Sequence, residues 1–382
     1  MIDKTKEFET KPIAALLWQY ALPAVITQII ASIYNICDRV FLGQCVGALA
    51  IAGLTVTMPI MNIIHAFGSL VGAGAGARMS IVLGKRDIPW AENILGNTML
   101  LSIFFGLLYV PAWYIFNDDI LSLFGASAET IAYAKEYMNI VIPGMFFTTV
   151  TFNLTSLIRS TGYSKKSMWI MIYGAILNIL LDALFIFGFK WGISGAALAT
   201  VIAQTCGFIL TTWYLRDGSN KYVHFKRNIF QLKAKIIAKI ISIGLAPFSV
   251  NICGCFIVVV LNHALLEQGG ADGDLCVGAN GITNRVTQLL ILMVAGFSQG
   301  MQPIVGFNIG AQLFNRVREV LVKAIMTATI ILTTGYILIA IFPAMLASLF
   351  TSDPVLIEYC IPALRISCRY TDDCDLILPK YS

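Results

Sequence analysis

The sequence predicts an all-α protein that crosses a membrane many times, with two parallel-repeat lobes of six helices, the second lobe incomplete with about four. Three observations carry this prediction: an apolar composition, a series of long apolar runs, and an internal repeat. Of the 382 residues, 58% are hydrophobic and 12% are charged, whereas a soluble domain carries about 25% charged residues. In lipid a helix satisfies its own backbone polar groups, so the apolar runs are predicted to be helices.

The apolar runs between charged breaks define the predicted membrane spans. About 20 consecutive apolar residues are needed to cross the hydrocarbon core as a helix. The chain has nine runs of about that length or more, and a tenth run that is shorter. The N-terminus carries lysines and acids before a run that is long enough to span, so no signal peptide is predicted. The predicted spans are 13–36, 48–77, 91–116, 131–158, 168–189, 194–215, 237–265, 277–303, 319–343 and 354–367.

Basic residues occur in alternate loops between these spans. Arg78, Lys85 and Arg86 follow the second span, and a strongly basic segment follows the sixth. The intervening loops are poorer in basic residues and contain acids, such as Asp118 and Asp119. Since positive loops stay in the cytoplasm, the N-terminus is predicted to be cytoplasmic. The regular alternation supports the predicted number of spans.

An internal repeat relates the two halves of the chain. Pro23, near the start of the first span, recurs as Pro247 in the seventh, and Gly68 and Gly72 recur as Gly296 and Gly300 at a nearly constant offset. Six spans separate equivalent points, so the two copies have the same orientation. Parallel repeats of this kind occur in transporters, where the substrate binds between the halves. Pro23 and Pro247 are predicted to bend their helices during gating, although proline kinks are also common in membrane helices without such a role.

The repeat and the linker composition divide the chain into four predicted regions. Residues 1–217 form an N-lobe, and 218–236 form a cytoplasmic linker between lobes. Residues 237–367 form a partial C-lobe, and 368–382 form a polar tail. The tail contains three acids in four residues, Asp372, Asp373 and Asp375, which cannot lie in hydrocarbon. A frameshift or truncation of a longer sequence is favoured over a natural short variant.

Five polar residues stand out within the predicted spans of the first half: Asp38, Asn153, Asn178, Asp182 and Thr200. Asn178 and Asp182 are four residues apart and therefore share one face of the fifth span. A charged group at the middle of the bilayer costs at least about 2.5–3.5 kcal/mol. The two aspartates have no basic partner at the same depth, so they are candidates for carrying a proton or attracting a cation. The alternative is that they only form hydrogen bonds between helices, with Asp38 near the outer interface.

Apolar residues, cysteines and histidines within the predicted spans and loops are further candidates for site components. Tyr34, Met58, Phe152 and Met293 are candidates for lining an adaptable apolar cavity, because methionine fills irregular gaps, although such residues also pack ordinary helices. The nine cysteines show no metal-ligand spacing with a nearby histidine, so no metal site of that kind is predicted. The three histidines, His65, His224 and His263, form no pattern in the sequence.

The sequence also resembles a known family. The segments are LPAVITQIIASIYNICDRVFLG, LVGAGAGARMSIVLGKRD, ILNILLDALFIFG, GISGAALATVIAQ and GITNRVTQLLILMVAGFSQGMQPIVGFNIGA. Over about residues 10 to 367 they are similar to the multidrug and toxic compound extrusion (MATE) family, most of all to its bacterial DNA-damage-inducible-type, proton-coupled branch. The Asn-x-x-x-Asp of the fifth span and the Gln-Pro of the eighth are the most specific matches.

This resemblance implies a function and a site. The family has twelve spans in two lobes and exports cationic, lipophilic drugs in exchange for protons or sodium. By position, Asp38, Asn153, Asn178, Asp182 and Thr200 match a polar cluster of the N-lobe that carries the coupling cation, with Na⁺ as an alternative to H⁺ at Asp38 and Asp182. The resemblance implies no enzyme activity, no organic cofactor and no nucleic-acid partner. It implies a monomer in the bacterial cytoplasmic membrane that binds small cationic, drug-like substrates.

Three alternatives to export each agree with some features of the sequence. A lipid-linked oligosaccharide flippase shares the twin-lobe plan but tends to have a cationic cavity, whereas the charges here are acidic. An intramembrane aspartyl protease also needs two aspartates, but its Gly-x-Gly-Asp is missing, and proteolysis would leave the repeat unexplained. The third alternative is an inactive truncated fragment, because a C-lobe that lacks two helices would have an open flank.

Overall fold

The computed structural model describes residues 5–45, 48–124, 130–218, 220, 222–226, 229–269, 273–348, 350–351 and 354–372. Within these ranges the secondary structure is helical, which confirms the predicted all-α class. The helices are α1 Lys6–Thr10, α2 Ile13–Cys45, α3 Ala48–Gly84, α4 Ile88–Leu123, α5 Ile131–Ser160, α6 Ser164–Asp182, a π-helix Ala183–Gly188, α7 Gly192–Arg216, α8 Ala234–Gly269, α9 Gly273–Gly310, α10 Phe314–Ile341, α11 Pro343–Ser348 and α12 Pro354–Asp372.

Each predicted span corresponds to a helix, and most helices extend beyond the predicted ends. The helix α3, for example, continues to Gly84 although the apolar run was predicted to end at residue 77. Hydropathy marks the part of a helix in hydrocarbon, whereas the backbone ladder continues until a turn residue breaks it. Within the described ranges, nine helices are long and apolar enough to span a membrane. The last helix, α12, is not one of them.

The helix α12 differs from the prediction at its C-terminal end. The polar tail was predicted to begin at residue 368, but the helix continues to Asp372. Helix formation depends on local backbone hydrogen bonds and tolerates polar residues, so a loss of hydropathy does not by itself end a helix. The rest of the predicted tail, residues 373–382, lies outside the described residues.

The prolines that were predicted to bend helices lie inside them. Pro23 is within α2 and Pro247 is within α8. In each case the side chain four residues later donates to the proline carbonyl: Thr27 Oγ1 at 2.8 Å from Pro23 O, and Asn251 Nδ2 at 2.8 Å from Pro247 O. Side-chain bonds to the i−4 carbonyl often bend helices. The two repeats therefore carry the same local arrangement at equivalent points.

The helix α3 lies at the centre of the bundle and contacts α4, α5, α8 and α9. Its approach to α8 is very close: a Cβ atom added at Gly74 would lie 2.0 Å from Ile240 O, and one added at Gly244 would lie 1.7 Å from Leu70 O. Only glycine permits two helix backbones to come this near, and small residues serve this purpose in membrane helix packing. The glycine-rich VGAGAGAR segment of α3 thus permits the close approach of α8.

One end of the bundle is closed by α1. We call it the basal end, defined by α1 and the turns at 85–87, 161–163 and 311–313; the opposite end is the distal end. Phe8 is fully buried between Tyr20 of α2 and Phe307 of α9, with ring centroids 5.0 Å and 5.3 Å away. The Arg316 guanidinium of α10 donates to Phe8 O at 3.0 Å. The first and the later helices are therefore tied together at this end.

Candidate functional site

Asp182 is the last residue of α6, and its side chain is 0% exposed. Neither of its carboxylate oxygens has a hydrogen-bond partner among the described residues. A buried charge without compensating bonds is costly, so such a residue is retained where function needs it. The π-helix Ala183–Gly188 begins at the next residue, and π-helical turns occur frequently at functional sites.

Asp38 lies on α2 and is half-buried. Its carboxyl group interacts electrostatically with that of Asp182. The structure therefore brings the two predicted aspartates to the same region, although they are far apart in the sequence. Two ionised carboxylates near one another repel, and a bound proton or cation relieves that repulsion. This pair can hold one positive charge better than either residue alone.

Asn178 and Thr200 were predicted to belong to the same cluster, and the structure joins them directly. Asn178 Nδ2 donates to Thr200 Oγ1 at 3.3 Å, linking α6 to α7. Asn178 is buried and lies one turn before Asp182. Its Oδ1 has no hydrogen-bond partner within the described part of the chain. That oxygen is an uncharged ligand available beside the carboxylate of Asp182.

Asn153 has a partner that the sequence did not indicate. It lies fully buried on α5, and its Nδ2 donates to Ser102 Oγ of α4 at 2.8 Å. Its Oδ1 lies close to α3, since a Cβ atom added at Gly72 would be 2.5 Å from it. No hydrogen bond joins Asn153 to Asn178 or Thr200 among the residues described. Its membership of the ion-binding cluster stays a prediction.

Other buried oxygen atoms also have no hydrogen-bond partner in the described ranges. Among them are Gln204 Oε1 on α7 and Thr151 Oγ1 on α5. Gln204 is one turn after Thr200, so the four-residue spacing could have drawn attention to it. Thr151 precedes Asn153 by two residues and carries no comparable signal in the sequence. Ser102 also carries none, since it occurs in an ordinary apolar run.

The four residues predicted to line an apolar cavity lie on different helices. Tyr34, Met58 and Phe152 are half-buried on α2, α3 and α5, and Met293 of α9 is 37% exposed. The Phe152 ring lies against α3, where a Cβ atom added at Gly72 would be 3.1 Å from it. A cavity of about 280 Å³ is present at the basal end, lined by Glu9, Arg86 and Tyr222 among others. None of the four lines it, so their cavity stays a prediction.

The family model of MatE matches residues 23–184 and 268–370, which together are more than half of the chain. The chain belongs to the MatE family. The match includes α2 and α6, the MatE helices that carry Asp38 and Asp182.

Curated MatE-like proteins match nearly the whole chain. Multidrug export protein MepA of Staphylococcus aureus (strain N315) is 27% identical over 360 residues, covering 94% of this chain and 78% of that protein. The protein of the same name from Staphylococcus haemolyticus (strain JCSC1435) is 25% identical over 361 residues, with the same coverage.

Solved structures have the same fold. A multidrug resistance MATE family transporter of the MOP superfamily, in an outward-facing conformation, superposes with a TM-score of 0.88 at 23% identity, covering 96% of this chain and 80% of that one. A MOP superfamily transporter from Pyrococcus furiosus, described as having a binding pocket of reverse polarity that suggests a different function, gives a TM-score of 0.86 at 22% identity, with the same coverage. At these identities the likeness shows the MatE fold alone.

Proposed function

We propose that this chain is a multidrug efflux transporter that exports cationic lipophilic compounds in exchange for H⁺ or Na⁺. Membership of the MatE family and the similarity to proteins named multidrug export protein support export as the function. The observation that carries the cationic substrate and the coupling ion is the buried Asp182 carboxylate. It has no hydrogen-bond partner among the described residues and lies within electrostatic reach of Asp38.

The proposed coupling rests on competition between two cations for one acidic region. When Asp38 and Asp182 are ionised, their field attracts a positively charged compound into a low-dielectric interior. When a proton or Na⁺ binds at the carboxylates, that attraction is removed and the compound is released. The Asn178 and Thr200 side chains are uncharged oxygen ligands that suit Na⁺ as well as a protonated carboxyl. Either ion therefore fits the residues present.

The concentration gradient of the coupling ion can drive this exchange. A positive charge that moves inward gains about 2.3 kcal/mol for each 100 mV, and a positive charge that moves outward loses the same amount. In a one-for-one exchange of monovalent cations these contributions cancel, so the concentration gradient of the ion supplies the free energy of export. We place the protein in a bacterial cytoplasmic membrane as a monomer, with the N-terminus and the basal end in the cytoplasm. The distribution of basic loops supports this orientation.

We assign the two halves to two lobes, residues 1–217 and 237–367, that rock against one another. The equivalent Pro23 and Pro247 carbonyl bonds support an internal repeat with the same orientation in both halves. Contacts between α2 and α9 and between α3 and α8 form the surface across which the lobes would move. The linker 218–236 would connect them on the cytoplasmic side.

The first experiment measures cation binding by the purified full chain. A fluorescent lipophilic cation is titrated in detergent, and its anisotropy is followed for the wild type and for Asp182→Asn. The amide keeps the size of the side chain and removes its charge, so we expect the affinity to fall by about tenfold or more, or 1.4 kcal/mol. Proteoliposomes that contain a pH-sensitive dye then show whether a gradient of the organic cation moves protons. The same measurement with and without Na⁺ shows whether Na⁺ replaces the proton as the coupling ion.

The matched control is Asp119→Asn, the same chemical change at an exposed residue near the end of α4. Its affinity should equal that of the wild type. Absence of cation binding by the wild type at any pH would overturn the proposal and favour the inactive fragment. Binding of an anionic lipid pyrophosphate in place of the cation would favour the flippase.

A further inference from the structure

One face of α3 carries a row of three polar side chains and a methionine that the proposed ion site does not use. Met58, Asn62, His65 and Ser69 follow one another at spacings of four, three and four residues. Residues at these spacings lie above one another on a helix. This row is distinct from the α3 glycines that pack against α5, such as Gly68, whose added Cβ would contact Thr149.

The basal end of this row faces the helices of the second half. Asn251 Nδ2 of α8 donates to Ser69 Oγ at 3.1 Å. One turn further toward the basal end, Gln302 Nε2 of α9 donates to Ala73 O at 2.8 Å. The face of α3 that contains Ser69 is therefore directed toward α8 and α9, and it does not face lipid at this level.

Beyond Ser69, toward the distal end, the row is open. Asn62 and His65 are exposed, and neither side chain has a hydrogen-bond partner within the described part of the chain. Ser69, on the same face of α3, is hydrogen-bonded to Asn251 of α8. The exposed Asn62 and His65 continue this face toward the distal end, so they lie along the boundary between α3 and α8.

The chemistry of the row places it in a cleft. Ionisable residues within membrane spans almost always face the bundle interior or a water-filled cavity, because exposure to hydrocarbon is costly. A neutral imidazole has one donor and one acceptor nitrogen, and the Asn62 amide has both donors and an acceptor. The half-buried Met58 adds an adaptable apolar contact. The row thus combines neutral hydrogen-bonding groups with an apolar neighbour.

We propose that Asn62 and His65 form a recognition surface for the uncharged polar group of an organic cation. The group is a hydroxyl, carbonyl or amide that lies apart from the charged centre of the compound. The inference rests on the proposed export function and adds the chemical class of substrate that this chain prefers. The carboxylates of Asp182 and Asp38 select the charge, and the α3 row selects the polar group.

The physical reason is the cost of unpaired polar groups. When an apolar compound fills the cleft, the Asn62 amide and the His65 imidazole lose water and gain no partner. When the compound carries a hydroxyl or carbonyl, hydrogen bonds to that group replace the hydrogen bonds to water. Sites that hydrogen-bond a substrate group discriminate strongly against the analogue that lacks it. The expected discrimination here is about tenfold, since the cleft is partly open to water.

The test uses two fluorescent lipophilic cations with the same ring system and charge. One carries a hydroxyl group, and the other has a methyl group in its place. Their affinities for the purified full chain are compared for the wild type, His65→Phe and Asn62→Leu. We expect the wild type to prefer the hydroxyl cation by about tenfold. Each variant should reduce that ratio to about two or less and leave the affinity for the methyl cation unchanged.

His224→Gln and Asn117→Leu are matched controls, because these residues lie outside α3 on the linker and on α4. Both should keep the wild-type ratio. The proposal is overturned if the wild type shows no preference between the two cations. It is also overturned if the α3 variants lower the affinities for both cations equally. If the wild type binds neither cation, the export proposal fails and the recognition surface fails with it. If both cations bind without preference, only the recognition surface fails.

Discussion

At the residue scale, buried oxygen atoms without described hydrogen-bond partners are concentrated on three neighbouring helices. They include both Asp182 oxygens, Asn178 Oδ1, Asn153 Oδ1, Gln204 Oε1 and Thr151 Oγ1, on α5, α6 and α7. Native proteins leave few such atoms unpaired, and each one calls for an explanation. The proposed cation site accounts for the Asp182 and Asn178 oxygens, since its ligands must be available when the cation is absent.

The two close-packed glycines of α3 and α8 make a prediction about stability. Gly244→Ala places a Cβ atom 1.7 Å from Leu70 O, and because the contact is with backbone, a helix must shift. We expect the free energy of unfolding to fall by about 1–3 kcal/mol. Thermal unfolding in detergent, followed by intrinsic fluorescence, measures the change.

Gly254→Ala is the control on the same helix. No described atom lies within 4 Å of the added Cβ, and alanine favours a helix over glycine by about 1 kcal/mol. The melting temperature should therefore stay the same or rise slightly. Equal destabilisation by both substitutions would contradict the close contact between α3 and α8.

At the element scale, the segment between α7 and α8 is held against the first half by buried asparagines. Asn97 of α4 donates to Gln231 O at 3.0 Å and accepts from Lys233 N at 2.9 Å. Asn220 Nδ2 donates to Thr161 Oγ1 at 2.9 Å. Both asparagines are 0% exposed. A segment that composition marks as a polar linker is thus fixed to the bundle at two points.

Asn97→Leu tests this attachment. The substitution removes the hydrogen bonds to Gln231 O and Lys233 N, each of which contributes about 0.5–1.5 kcal/mol. We expect the linker to detach and trypsin to cleave after Lys226 and Lys233 several times faster than in the wild type. Timed digestion followed by mass spectrometry measures the rates.

Asn93→Leu, one turn earlier on α4, is the control. Its Nδ2 donates only to Pro89 O of its own helix, so the linker should stay attached and the cleavage rates should not change. If Asn97→Leu also left the rates unchanged, the hydrogen bonds of Asn97 would not be what holds the linker.

At the scale of the whole molecule, the basal end is closed by contacts between the first and second halves. Phe8 packs between Tyr20 and Phe307, and Arg316 donates to Phe8 O and, at 2.7 Å, to Lys11 O. The proposed alternating access would require these contacts to separate. We therefore predict that the N-terminal segment stabilises the closed basal end relative to an open one.

Phe8→Ala should shift this equilibrium toward an open basal end. The substitution removes a fully buried ring. Loss of such a ring usually destabilises a protein by about 3–5 kcal/mol, and part of this destabilisation applies to the closed state alone, because the ring has these contacts only there. Spin labels at Lys85 and Asn315, in the turn after α3 and at the start of α10, report the separation. We expect the population at longer distance to increase by about tenfold.

Phe314→Ala is the control for this measurement, because that side chain is 64% exposed. Its distance distribution should match that of the labelled wild type. An unchanged distribution in Phe8→Ala would show that α1 does not stabilise the closed basal end.

The sequence by itself determined the helices and the acidic residues of the site. Hydropathy and length are local properties, and for this reason the predicted spans agree with α2 to α10 to within a few residues at most ends. Asp38 and Asp182 were predicted as site residues because a carboxylate within an apolar run is recognised from its neighbours in the sequence. The four-residue spacing placed Asn178 beside Asp182 for the same reason.

Only the tertiary structure decided which side chains meet. The bond from Asn153 to Ser102, the unpaired Gln204 and Thr151 oxygens and the exposure of His65 depend on how each helix is rotated against its neighbours. That rotation is set by contacts between residues far apart in the chain, such as Gly244 against Leu70. The helical spacing of Asn62, His65 and Ser69 is present in the sequence, but only the packing of α3 against α8 and α9 decided which way their face is directed.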